Sequence, residues 1–219
     1  AQVDHFAKAG YQATVPALPL YSMPLATTNV KNLTRFVKSF MDHMGYEKAF
    51  LVGNSLGGHI ALMMQKLYPN NVHGLILAGS SGLYESAMGN SYPRRGDRDY
   101  IAERIKDVFY VKEVATEELI DEVFATVNDR NKAIKTLAIS KSAIRHNMSN
   151  DIKEFEVPTC IVWGRQDDVT PPEVADKFKD LMPNSELHWI DECGHAAMME
   201  RPEEFNTIIQ KWLDKLLSN

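Results

Sequence analysis

The sequence predicts an α/β fold with a mainly parallel sheet. Three observations carry that prediction. Short buried apolar runs alternate with amphipathic helical stretches, as in chains that wind helices around parallel strands. Several runs end in Gly or Ser, where the functional loops of open parallel sheets begin. One run leads through Gly53-Asn54-Ser55-Leu56-Gly57 directly into a helix.

Val3, Phe6, Ala7 and Ala9 before Gly10 predict a short opening helix closed by a glycine, and Tyr11 to Ala17 reads as a strand. A proline-punctuated loop, Pro16 to Pro24, leads to Thr27 or Thr28 as an N-cap. The helix that follows sets Leu33, Phe36, Val37, Phe40 and Met41 on one face and stops at Gly45. Ala49 to Val52 is a buried strand, and after the glycine-rich turn a helix spans Leu56 to Leu67, stopped before Pro69. Val72 to Ala78 and Thr159 to Trp163 are further buried strands, and Leu187 to Ile190 makes a fifth. Pro171 to Leu181 and Pro202 to Leu217 are helices with proline near the first turn. Residues 82–155 break the alternation: they are rich in Glu, Lys, Arg and Ala with helical periodicity, so they read as a helical insertion. Ser80-Ser81-Gly82 and Met88 to Gly96 form its hinge side, and Asp151 to Pro158 its return. The core is then 1–81 and 156–219.

Composition excludes several classes. The 219 residues are 44% hydrophobic and 24% charged, ordinary for a globular protein, and 24 basic against 29 acidic residues give a net charge of −5. No basic stripe marks a nucleic-acid binder. No apolar run reaches the roughly 18 to 20 residues of a membrane span, and no leader pattern opens the chain, so a soluble protein is expected, acting on a small molecule. Two cysteines, Cys160 and Cys193, are too few for a disulfide framework and lack metal-site spacing, which fits a reducing cytoplasm. No metal, P-loop or dinucleotide fingerprint occurs, so no cofactor is implied. Asn32-Leu33-Thr34 and Asn147-Met148-Ser149 are read as chance matches to the glycosylation pattern.

Chemistry concentrates in three loops. Gly53-Asn54-Ser55-Leu56-Gly57 is G-x-S-x-G between a strand and a helix, the context of a nucleophile elbow, with Gly53 and Gly57 expected to be required by close packing. A serine hydroxyl needs a base, and that base needs an orienting carboxylate. Cys193-Gly194-His195 follows the last strand and supplies the base, His195; Trp163-Gly164-Arg165-Gln166-Asp167-Asp168 supplies the acid, with Asp167 favoured over Asp168. The order Ser, acid, His is the one expected for this arrangement.

These three motifs resemble the α/β-hydrolase fold family over nearly the whole chain, including Glu200-Arg201-Pro202 after the histidine. The resemblance implies Ser55 as nucleophile, His195 as general base and acid, Asp167 as orienting carboxylate, the Leu56 N–H as an oxyanion donor, and residues 82–155 as a helical cap over the pocket. Serine-nucleophile members include carboxylesterases and hydrolases that cut carbon-carbon bonds in ring-cleavage products. Gly53-Asn54-Ser55 and Ile144-Arg145-His146-Asn147 are similar to the latter, which implies Asn54 and Arg145 as substrate-binding; Ala196 and Leu56 depart from that branch. Ester hydrolysis by an acyl-enzyme route is the expected activity, with carbon-carbon hydrolysis and non-catalytic ligand binding as alternatives.

The likeness also implies that the first three strands and the second oxyanion donor are not in this chain, which opens at Ala1 inside a helix. The Tyr11 and Ala49 strands would then face each other across roughly 9 to 10 Å, two inter-strand spacings. A fragment of a longer protein is therefore expected.

Overall fold

The computed structural model describes residues 1–84 and 94–218; the expected hinge positions from Met88 to Pro93 lie outside them. Four strands form one sheet: β1 (Ala49–Asn54), β2 (Val72–Ala78), β3 (Thr159–Gly164) and β4 (Ser185–Ile190). They are in the order β1-β2-β3-β4 and every pairing is parallel. Around them lie α1 (Gln2–Lys8), α2 (Val30–His43), α3 (Leu56–Leu67), α7 (Pro172–Leu181), the single turn α8 (Ala197–Glu200) and α9 (Pro202–Leu217). Between β2 and β3 come α4 (Arg98–Lys106), α5 (Glu117–Asn128) and α6 (Arg130–Arg145).

The two-residue period of the strands divides the core. Leu75, Leu77, Ile161 and Trp163 pack with α2, α3 and α7 on one face. Ile76, Ala78, Cys160 and Val162 pack with Phe205, Ile209, Trp212 and Leu213 of α9 on the other. Both faces are covered, which is why β2 and β3 read as continuous apolar runs rather than alternating ones. A third cluster, Ile101, Ala102, Ile105, Phe109, Ala115 and Ile120, sits within the helical segment and takes in Ala196 beside His195.

Two local expectations are corrected. Tyr11 to Ala17 is not a strand: an extended segment becomes one only by pairing, and among the described residues no ladder reaches it and the sheet has four strands instead of five. Gln12 and Thr14 instead hydrogen-bond the Tyr46 hydroxyl at 2.9 and 3.2 Å. The cap of α2 is Asn29, whose Oδ1 accepts from the Asn32 N–H at 2.9 Å, and not Thr27 or Thr28. Thr27 and Thr28 turn their hydroxyls back onto the Pro24 carbonyl at 2.9 and 3.0 Å, closing a 3-10 turn (Leu25–Thr27) ahead of the helix. Gly45, at φ +72°, ends α2 as its glycine suggested.

Among the described residues no helix is long and apolar enough to cross a membrane.

Candidate active site

All four strands deliver a loop at their carboxyl ends, and Ser55, Asp167 and His195 lie on the loops that follow β1, β3 and β4. Ser55 follows β1 with φ 50° and ψ −117°, a left-handed conformation that costs a non-glycine residue about 1 to 3 kcal/mol. The strain is held from three directions. The Ser55 N–H donates to the Ala78 carbonyl at 3.1 Å, and the Ser55 carbonyl accepts from His59 at 3.2 Å and from Ser81 at 3.1 Å. Gly53 is a packing requirement, since a Cβ there would lie 2.2 Å from the Gly57 carbonyl carbon. Gly57 is not: a Cβ at that position meets nothing within 4 Å. The second close approach belongs to Gly58, where a Cβ would fall 2.2 Å from Ser80 Oγ.

Asp167, rather than the exposed Asp168, is the acid that reaches His195. Its Oδ2 lies 2.9 Å from His195 Nδ1, with Asp167 1% and His195 8% exposed. Oδ1 accepts from the Val169 and Thr170 N–H groups at 2.9 and 2.8 Å, and the Thr170 hydroxyl donates to Oδ2 at 2.7 Å. With its acceptors so engaged, the buried carboxylate holds Nδ1 as the protonated ring nitrogen and leaves Nε2 to act as an acceptor. Thr170 is in turn located by Trp163, whose indole N–H donates to the Thr170 carbonyl at 2.8 Å. Gly79, at φ +46°, clears the space: a Cβ there would sit 2.9 Å from His195 Nδ1 and 3.1 Å from Asp167 Oδ2.

Asn54 stitches the serine and histidine loops together. Its Nδ2 donates to the Ala78 carbonyl at 3.0 Å and to the His195 carbonyl at 2.9 Å, so both amide hydrogens are engaged by backbone. Leu56 opens α3, where its N–H is one of the orphan donors of a helix start. Arg145 is the last residue of α6 and is exposed, and its side chain makes no hydrogen bond or ion pair among the described residues. The Ser55 hydroxyl makes none among them either, and such contacts are often long before substrate arrives. Burial pushes the Cys193 and Cys160 thiols up to about 12, with nearby carboxylates adding to the effect, which disfavours the thiolate.

Over residues 1–208 the chain matches the profile described as the alpha/beta hydrolase family. The chain belongs to that family. An alpha/beta hydrolase of known structure from the metagenome of lagoon sediments of Mar Chica, Morocco, is 47% identical, with a TM-score of 0.80 over 97% of this chain and 82% of its own. A 2-hydroxy-6-oxononadienedioate/2-hydroxy-6-oxononatrienedioate hydrolase of Paraburkholderia phymatum is 30% identical over 96% of this chain and 79% of its own. An enzyme of the same name from Pseudomonas sp is 29% identical over 96% and 80%. This alpha/beta hydrolase is thus a hydrolytic enzyme by family.

Several residues that hold the candidate site's loops and the helical segment lie outside what the motifs alone point to. Thr170 stands three residues after Asp167, the spacing of a side chain closing onto its own backbone turn, and that signal is present in the sequence. Glu200 is visible only as part of a motif. His59 is fully buried in α3 with Nε2 2.9 Å from the His146 carbonyl, and burial holds its imidazole down to about 4. Nothing in the sequence around His59 announces a partner 87 residues away.

Proposed function

We propose that the protein is a serine hydrolase that cleaves a small carboxylic ester. Ser55 is the nucleophile, His195 the general base and then acid, and Asp167 the orienting carboxylate. The observation that carries this reading is the buried 2.9 Å contact between Asp167 and His195 at the same sheet edge as a left-handed Ser55.

The proposed steps are those of an acyl-enzyme route. His195 Nε2 takes the Ser55 proton as Oγ bonds to the ester carbonyl carbon, and Asp167 stabilises the imidazolium. The oxyanion is met by the Leu56 N–H, backed by the positive end of α3. Collapse breaks the bond to the leaving alkoxide, which receives the proton from His195. Water, deprotonated by the same nitrogen, then releases the acid and restores Ser55. The helical insertion read from the sequence as residues 82–155 is proposed as the lid over this edge. Arg145 is proposed as a contact for an anionic substrate at the end of α6.

A second reading, hydrolysis of a carbon-carbon bond in a ring-cleavage dienoate, is favoured by the names of the relatives at 29% and 30% identity. One preparation decides between them. Release of p-nitrophenol from a short-chain ester, abolished in Ser55→Ala, is expected; bleaching of a 2-hydroxy-6-oxo-dienoate without ester turnover establishes the second reading instead. An organophosphonate probe that fails to label Ser55 overturns the triad.

A further inference from the structure

We propose that Glu200 is a positioning residue that holds the His195 loop and the helical segment in one register, so that residues 108–111 form a fixed wall beside the base. The proposal rests on His195 acting as the base. Glu200 ends the single turn of α8 and is buried, yet among the described residues no cation pairs with it; the neighbouring Arg201 turns to Glu192 instead. Its carboxyl oxygens are met mainly by backbone N–H groups from two places. Oε1 accepts from Gly194 at 2.9 Å, with the Cys193 thiol at 3.9 Å. Oε2 accepts from Tyr110 at 2.7 Å and Val111 at 3.0 Å, donors about ninety positions earlier in the chain.

The same stretch is tied to the base directly, because the His195 N–H donates to the Val108 carbonyl at 2.9 Å. The approach is close enough to demand Gly194, where a Cβ would lie 2.7 Å from the Val108 oxygen and 2.8 Å from the Tyr110 nitrogen. Ala196 completes the joint by packing into the apolar cluster of the helical segment. A carboxylate suits the position because each of its oxygens accepts from a different partner. An amide offers one acceptor and turns an N–H₂ group toward N–H donors, so Glu200→Gln keeps the shape and breaks one side of the clamp.

The experiment combines amide exchange with kinetics on the full chain. In the wild type, the Gly194, Tyr110 and Val111 amides are expected to exchange as slowly as those of β3; fast exchange overturns the clamp without any variant. In Glu200→Gln, far-UV circular dichroism should stay native and exchange at 108–111 should accelerate. kcat for a p-nitrophenyl ester should fall about 10- to 100-fold with KM changed far less, as expected when a base is displaced while substrate binding stays intact. Faster exchange with wild-type kcat overturns the positioning role. Ser55→Ala separates this from the parent reading. If Ser55→Ala keeps wild-type turnover, the triad fails; if it loses turnover while Glu200→Gln does not, only the role of Glu200 falls.

Discussion

Ser55 shows how much of the site's cost is concentrated in one backbone position. Its φ of 50° is sustained by hydrogen bonds to Ala78, His59 and Ser81 and by the absence of a side chain at Gly53. The two glycines of G-x-S-x-G are therefore unequal. Gly53→Ala drives a methyl into the backbone of residue 57 and should destabilise by about 3 kcal/mol or more. Gly57→Ala, in open space at the start of α3, should be neutral or stabilising by up to about 1 kcal/mol. Urea midpoints of the two variants check the contrast, and equal losses would show that the turn tolerates neither. Asp167 is separable from Asp168 on the sequence only by position in the loop; the structure adds that Asp167 alone has the Thr170 turn to receive it. Asn54 suggests a substrate contact only through the likeness of Gly53-Asn54-Ser55 to carbon-carbon hydrolases. Its amide ties two loops, which a single sequence cannot show because one acceptor is 141 positions away.

At the scale of elements, helices and strands are legible wherever periodicity and a terminator agree. α3, β2 and α9 run from Leu56 to Leu67, from Val72 to Ala78 and from Pro202 to Leu217, the limits their apolar patterns and prolines imply. The cap of α2 is placed at Thr27 or Thr28 on the sequence, although Asn29 beside them caps equally well by residue type, and only backbone geometry chooses among the three. Asn29 accepts from Asn32, so Asn29→Ala should cost about 1 kcal/mol, while Thr27→Ala, whose hydroxyl serves the preceding turn, should cost clearly less. Chemical denaturation of both variants tests the assignment, and the reverse order of losses would return the cap to the threonine. Tyr11 to Ala17 has a strand's composition without a strand's partner, and composition carries no information about pairing.

The described residues form a parallel sheet with helices on both faces, and two of the contacts that hold the helical segment to the carboxyl edge join distant parts of the chain. One is Glu200 on the His195 loop. The other is His59, reaching from α3 to the His146 carbonyl at the end of α6. Burial holds His59 down to about 4 against an ordinary 6.5, so folding favours its neutral form. Its folded-state value lies below its unfolded one. The stabilisation is thus complete above about pH 6.5 and is lost as pH falls toward 4, to a total of about 3 kcal/mol. Melting midpoints between pH 7.5 and 4 should fall less steeply in His59→Leu than in wild type. Parallel slopes would assign the acid loss to other groups.

The sequence by itself determined the α/β class, the faces of most helices, the strand-turn-helix around Ser55 and the order of serine, acid and histidine. These are local properties, written in apolar spacing, terminators and short motifs. Only the tertiary structure decided which glycine is irreplaceable, what Asn54 bonds, why Thr170 and Gly79 belong beside the acid, and how Glu200 and His59 bind the helical segment to the sheet edge. Each of those depends on groups brought together from distant parts of the chain, and a contact across 90 or 141 positions leaves no periodic trace in the sequence.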